Sequence, residues 1–144
     1  MKCQWWAYSI LSQINRVNIN KNSNVYENHI QRMADDHYLV IALFKLYEWL
    51  NELNKYVEET QEYIDKLNKL SDIKLLRNMF EHEIEYYKNN GHKQKSFYDL
   101  SLNQSLLNSV FINNEYYVCG KINIKELKKI IEDVKKWLMM QIFH

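Results

Sequence analysis

The stretch "LVIALF", Leu39–Phe44, is apolar nearly all round a helix and decides the fold. It lies within a longer pattern, from about Glu27 to Val57, in which mostly apolar residues recur with the 3.6-residue period of a helix. The positions that follow this period are Ile30, Met33, Ala34, His37, Ile41, Phe44, Tyr47, Leu50 and Leu53. Because such a helix has to be covered on all sides, we predict that it is the central and most buried helix of a bundle.

The composition also favours a helical bundle. Of 144 residues, 47% are apolar, 14% aromatic and 26% charged, which excludes a disordered chain. The chain has no proline and only two glycines, so helices can run long without interruption. This length fits one domain better than two, and we predict a single helical domain over 1–144.

Further helices flank the central one on both sides in the sequence. Apolar residues from Trp5 to Val17 recur at helical spacing, and the asparagine-rich "NINKNSN" ends that helix. After the central helix, "EETQEYIDKLNKL" predicts a continuation with a kink or short break near Glu59. Ser71 or Asp72 then provides the N-cap of another helix, which we predict to run to about Asn90, with Gly91 at its C-terminal end.

The sequence changes character after this helix. "SVFINNEYYVCG" places β-branched and aromatic residues on both sides of an Asn-Asn turn, which predicts a β-hairpin near 109–120. Asn123 and Glu126 then match a capping box for a final helix. Its apolar face consists of Ile124, Leu127, Ile130, Ile131, Val134, Trp137, Leu138 and Phe143. The predicted fold is therefore mostly α, an up-and-down bundle of four to five helices with a small hairpin insertion.

Charge, cysteines and hydropathy narrow the function classes. The net charge of +1 provides no global attraction for nucleic acid. Cys3 and Cys119 match neither a disulfide framework nor a zinc spacing, so we interpret both as small buried groups. No signal peptide is recognised, and the longest apolar run is far shorter than the ~20 residues of a membrane span. We expect a cytoplasmic protein that does not enter a membrane.

The helix after Asp72 carries two apolar stripes. Residues Ile73, Leu76, Phe80, Ile84 and Tyr87 form one stripe, and Leu75, Met79, His82 and Tyr86 form a second stripe roughly opposite. Either this helix is enclosed on all sides within one chain, or its second stripe meets another chain. We expect a homodimer through the face formed by Leu75, Met79, His82 and Tyr86.

Polar residues interrupt the same helix in "RNMFEH", Arg77–His82. In one interpretation they are structural: Arg77 forms an exposed ion pair with Glu81 at i+4, and His82 is tolerated at an interface. In the other interpretation they are functional. The arginine and the histidine are about 140° apart on a helical projection, so they do not share a face of the helix.

"RNMFEH" resembles the R-x4-6-H motif of the HEPN superfamily, in which a polar residue often follows the arginine. This resemblance implies a small helical domain, commonly dimeric, and metal-independent endoribonuclease activity in toxin–antitoxin or phage-defence systems. The catalytic residues would be Arg77, Asn78 and His82. Where one HEPN toxin group has a tyrosine that a partner nucleotidyltransferase modifies, this chain has Ile84, which places that form of control in doubt.

The motif chemistry needs no metal or other cofactor. RNA contains its own nucleophile, so an imidazole can transfer the proton while a guanidinium binds the phosphate. Asn78, four residues before His82, could orient the imidazole or donate to the phosphate. The segment after the helix adds cations that could bind an RNA backbone, namely Lys88, His92, Lys93 and Lys95. They are equally typical of a solvated loop after a helix C-terminus.

A second match to the same spacing is "RMADDH", Arg32–His37, on the central helix. We prefer the later match because Asp35 and Asp36 would repel a phosphate. The structural interpretation of the earlier match is a helix start with ordinary ion pairs, although the two matches could still be neighbours in space.

Two functions remain open from the sequence. One is a homodimeric HEPN-type ribonuclease, with RNA as its substrate and an antitoxin or nucleotidyltransferase as a further partner. The other is a non-catalytic HEPN-like helical interaction module, or an antitoxin-like partner protein, in which Arg77 and His82 are structural.

Overall fold

The computed structural model describes residues 1–20, 26–82, 98–99, 104–105 and 109–142. Five helices lie in these residues: α1 (Lys2–Asn20), α2 (Tyr26–Asn54), α3 (Thr60–Leu70), α4 (Ile73–Glu81) and α5 (Ile124–Ile142). The strands are β1 (Tyr98–Asp99), β2 (Gln104–Ser105), β3 (Val110–Ile112), β4 (Glu115–Val118) and β5 (Ile122–Asn123). The predicted mostly helical fold with a small hairpin is confirmed.

Helix α2 is the centre of the bundle, as its apolar middle predicts. It packs against α1, α3 and α4, while α5 packs against α1 and α3. Leu39, Leu43 and Leu46 are completely buried. The predicted break near Glu59 is confirmed, because turns at 55–59 separate α2 from α3.

The first turns of α2 differ from the prediction. Ile30 and Met33, which follow the apolar period, are half exposed, whereas Asp35 and Asp36 are buried. The carboxylates can lie inward because other elements donate hydrogen bonds to them. Periodicity alone is therefore wrong about the inward side of these turns.

Three antiparallel strands form the small sheet, in the order β3-β4-β5. The turn of the predicted hairpin is Asn113-Asn114, with φ angles of 52° and 63°. Positive φ at both central residues is typical of a tight hairpin turn, and asparagine tolerates that conformation better than most residues. The hairpin is confirmed, and β5 extends it to a third strand.

Helix α4 begins as predicted and ends early. The Asp72 carboxylate accepts a hydrogen bond from the Leu75 amide at 3.0 Å, which confirms Asp72 as the N-cap. The predicted end near Asn90 is wrong, because α4 ends at Glu81 and His82 has non-helical backbone angles, φ −116° and ψ 36°. Ile84, Tyr86, Tyr87 and Gly91 lie outside the described residues.

The start of α5 depends on one buried side chain. Asn123 Oδ1 accepts hydrogen bonds from the amides of Lys125 (2.9 Å) and Glu126 (3.1 Å), and its Nδ2 donates to Glu115 at 2.8 Å. Asn123 therefore caps the helix, as predicted, and also ties it to β4.

Replacing Asn123 with alanine should lower the free energy of unfolding by about 1 to 2 kcal/mol, because two helix amides lose their acceptor. Urea unfolding followed by circular dichroism measures this change. Asn123→Ser is the matched control, since a hydroxyl can still cap, and it should recover most of the loss. Equal stability of the alanine variant and the wild type would contradict the capping role.

Candidate functional site

The guanidinium of Arg77 is held by three neighbours. Its Nη2 lies 2.5 Å from Glu81 Oε1, and its Nη1 donates to Asn78 Oδ1 at 3.5 Å. Its Cζ lies 4.9 Å from the centre of the Phe44 ring on α2. The ion pair expected in the structural interpretation is therefore present. The Arg77 side chain remains 36% exposed, so part of the guanidinium still faces solvent.

The predicted partner His82 lies at the other edge of α4. Its imidazole belongs to an exposed residue, and its backbone amide donates to the Asn78 carbonyl at 2.9 Å. Since about 140° separates positions 77 and 82, the two side chains leave α4 in different directions.

The predicted homodimer face is not an exposed surface, because two of its four residues are buried within the single chain. Leu75 is only 6% exposed and Met79 only 1%, and both belong to the core of the single chain. They lie beside Leu76 and Ile73 on one wide buried arc of α4, so the two stripes are parts of a single face. Of the predicted face, His82 is exposed, while Tyr86 lies outside the described residues.

The second motif match lies next to the first. The His37 ring on α2 meets the Phe80 ring on α4 edge to face, with centroids 4.6 Å apart. Phe80 follows Arg77 by three residues and projects from the same side of α4. Among the described residues, His37 therefore places an imidazole on the Arg77 side of α4. The signal for it in the sequence is the match at Arg32–His37, but only helix packing brings the two matches together.

A buried carboxylate cluster lies in the same part of α2. Asp36 accepts hydrogen bonds from Ser109 Oγ at 2.5 Å and from Tyr116 Oη at 2.9 Å, and Ser109 Oγ accepts one from the Cys119 amide at 3.2 Å. Asp35 accepts one from Arg16 Nε at 3.0 Å. The expected helix start is wrong, since these residues lie well inside α2, but the ion pair expected there is present.

Burial dominates the electrostatics of this cluster. It raises the pKa of Asp36, although the bonds from Ser109 and Tyr116 and the charge of Arg32 act in the opposite direction. Burial and the nearby Asp36 charge raise the pKa of Tyr116 and that of Cys119. One oxygen of Asp36, Oδ1, is buried without a hydrogen-bond partner. The hydrogen bonds of Asp36 attach the hairpin to α2. Burial disfavours the charged form of this carboxylate.

The predicted RNA-binding residues Lys88, His92, Lys93 and Lys95 lie outside the described residues. In the part of the chain that is described, no group of three or more possible ligands could hold a metal ion. No described helix is long and apolar enough to span a bilayer. Cys3 and Cys119 are free and buried, which confirms their interpretation as small buried groups.

Comparison with known proteins identifies no family. No protein-family model matches the chain, and searches among curated proteins and solved structures find no match either. The resemblance to the HEPN superfamily therefore rests on the motif residues alone.

The raised pKa of Asp36 makes stability depend on pH. Because the folded protein retains this proton above the ordinary value of 3.8, the contribution of the carboxyl group is complete below that pH. It is lost as the pH rises through the folded pKa. The unfolding free energy of wild type should therefore fall relative to that of Asp36→Asn as the pH increases from about 4.

Urea unfolding of both proteins at a series of pH values checks this expectation. Asp65→Asn is the control, because Asp65 is an exposed carboxylate on α3. A parallel pH dependence of wild type and Asp36→Asn would show that Asp36 titrates normally.

Proposed function

We propose that this protein is a metal-independent endoribonuclease of the toxin–antitoxin or phage-defence type. The single observation that supports the proposal best is the state of Arg77, a partly exposed guanidinium held in place by Glu81, Asn78 and the Phe44 ring. A guanidinium fixed in this way can bind a phosphate through two parallel hydrogen bonds at little further entropic cost. The toxin or defence role and an antitoxin or nucleotidyltransferase partner follow from the HEPN resemblance only.

The proposed site is composite. Arg77 and His82 leave α4 in directions about 140° apart, so one chain does not direct both at the same phosphate. A second copy that presents its His82 beside Arg77 would complete the pair. The homodimer thus remains part of the proposal, through the surface around His82 and not through Leu75 and Met79.

The reaction needs only the groups that this site supplies. His82 takes the proton of the RNA 2′-hydroxyl, whose oxygen then attacks the adjacent phosphorus. Arg77, with Asn78 beside it, stabilises the negative charge of the pentavalent phosphorane. The bond from phosphorus to the 5′-oxygen breaks, and that oxygen receives a proton from an imidazolium. The products are a 2′,3′-cyclic phosphate and a free 5′-hydroxyl.

Wild-type protein should cleave single-stranded RNA in excess EDTA, and Arg77→Ala and His82→Ala should each lower the rate by about a hundredfold or more. Gel analysis of end-labelled RNA measures the rate and shows the cyclic phosphate end. Lys74→Ala, an exposed cation on the same helix, is the control and should cleave at the wild-type rate. No cleavage by wild type, or cleavage that survives both substitutions, would reject the proposal.

Mixing the two inactive variants tests the composite site. If Arg77 of one copy acts with His82 of another, a mixture of Arg77→Ala and His82→Ala should regain part of the wild-type activity, because mixed dimers contain one complete site. A site within one chain would leave the mixture inactive. If His82→Ala is instead active by itself and His37→Gln is inactive, the proton transfer is assigned to the imidazole beside Phe80.

The second candidate is a non-catalytic helical interaction module. It is favoured by a specific observation: the Arg77 side chain is already engaged by Glu81 and Phe44, as in a structural ion pair. If the protein is such a module, substitution of Arg77 should change thermal stability, and neither the wild type nor the variant should cleave RNA.

A further inference from the structure

An open groove runs between α1 and α5, away from the residues of the proposed RNA site. Gln4 Nε2 donates to the Leu138 carbonyl at 3.5 Å, and Lys135 Nζ lies 6.0 Å from the centre of the Tyr8 ring. As the residue number rises on α1 it falls on α5, so the two helices are antiparallel. A third helix can lie along such a groove and contact both of them.

The groove is apolar and exposed. Tyr8 is 64% exposed, and Met139 and Met140 are about half exposed. The groove itself has a volume of about 440 Å³, and Leu11 lines it together with the two methionines. Trp5, one turn before Tyr8 and 56% exposed, extends the apolar surface along α1. We call this surface, formed by Trp5, Tyr8, Leu11, Met139 and Met140, the α1–α5 groove.

These side chains are of the types that dominate binding surfaces. Tryptophan and tyrosine supply large contact areas with few rotatable bonds, and methionine adapts its shape to a partner. Core residues such as Ile10 and Val134 lie beneath on the same two helices and are completely buried. The exposed aromatic and methionine side chains therefore form an additional layer that the described residues of this chain do not cover.

The charges beside the groove select the partner. Lys135 and Lys136 line it, and neither forms an ion pair with a described residue. The acid that lines it, Glu132, lies 3.9 Å from Lys128, which offsets its charge. The rim is therefore positive, and it favours a partner with carboxylates on both sides of an apolar stripe.

We infer that the α1–α5 groove binds an amphipathic helix of another protein, with Asp or Glu residues flanking its apolar face. A second copy of this chain fits less well, because a two-fold contact through the groove would bring the Lys135 and Lys136 rims together. This inference does not depend on the RNA-cleaving proposal.

A selection without a presumed sequence tests the inference. A display library of helical peptides, randomised in both apolar and charged positions, is selected against the full-length protein. The enriched peptides should have apolar residues at spacings of three and four, with acidic flanks. They should bind Tyr8→Glu and Met139→Glu at least about tenfold more weakly than wild type.

Matched variants locate the binding site and its charge dependence. Tyr56→Glu alters an exposed tyrosine in the turn after α2 and should bind the peptides like wild type. Reversing both Lys135 and Lys136 to glutamate should weaken binding, and selection against that variant should enrich basic flanks instead. Lys69→Glu, on α3, is the control for charge. Circular dichroism confirms that each variant is folded before its affinity is measured.

Four results would overturn the inference. They are an absence of enriched peptides, enrichment of peptides without acidic flanks, binding that survives Tyr8→Glu, and concentration-dependent dimerisation that Met139→Glu abolishes. The last would assign the groove to a second copy. Binding of anionic vesicles that depends on the two lysines, in the absence of peptide binding, would assign it to a membrane surface.

Discussion

The apolar middle of α2 has to be covered over most of its surface, and most of the structure follows from this requirement. Val40, Leu43 and Leu46 project over a wide arc of the helix and are completely buried, so exposing them to water would lose hydrophobic free energy. Helices α1, α3 and α4 provide the cover. Because α4 is part of this cover, Leu75 and Met79 are buried in the core of the chain and cannot contact a partner.

Polar contacts then fix the position of the hairpin on α2, which hydrophobic burial alone does not determine. The hairpin is attached to α2 through Asp36, whose carboxylate accepts hydrogen bonds from Ser109 and Tyr116. Burial of a carboxylate is unfavourable unless such donors are present, so the burial of Asp36 depends on the hydroxyl groups of Ser109 and Tyr116. The arrangement places a group with a raised pKa at the junction between the helical bundle and the small sheet.

The two proposals concern different parts of the molecule. The proposed RNA site lies along α4, where Arg77 is held at one edge and His82 is exposed at the C-terminal end. The α1–α5 groove lies on the helices that contain Tyr8 and Met139. A nuclease regulated by a helical partner and a purely interacting protein would both use the groove, and only RNA cleavage separates these functions.

The sequence by itself determined the elements: a central helix around Leu39–Phe44, an Asn-Asn hairpin, and helices capped at Ser71 or Asp72 and at Asn123. These features are local, since periodicity and capping involve residues only a few positions apart. Tertiary structure alone decided which faces of α2 and α4 are buried. It placed Asp36 against Ser109, 73 residues away, and brought His37 to Phe80. Such contacts depend on how helices pack, and no spacing within a single sequence encodes that packing directly.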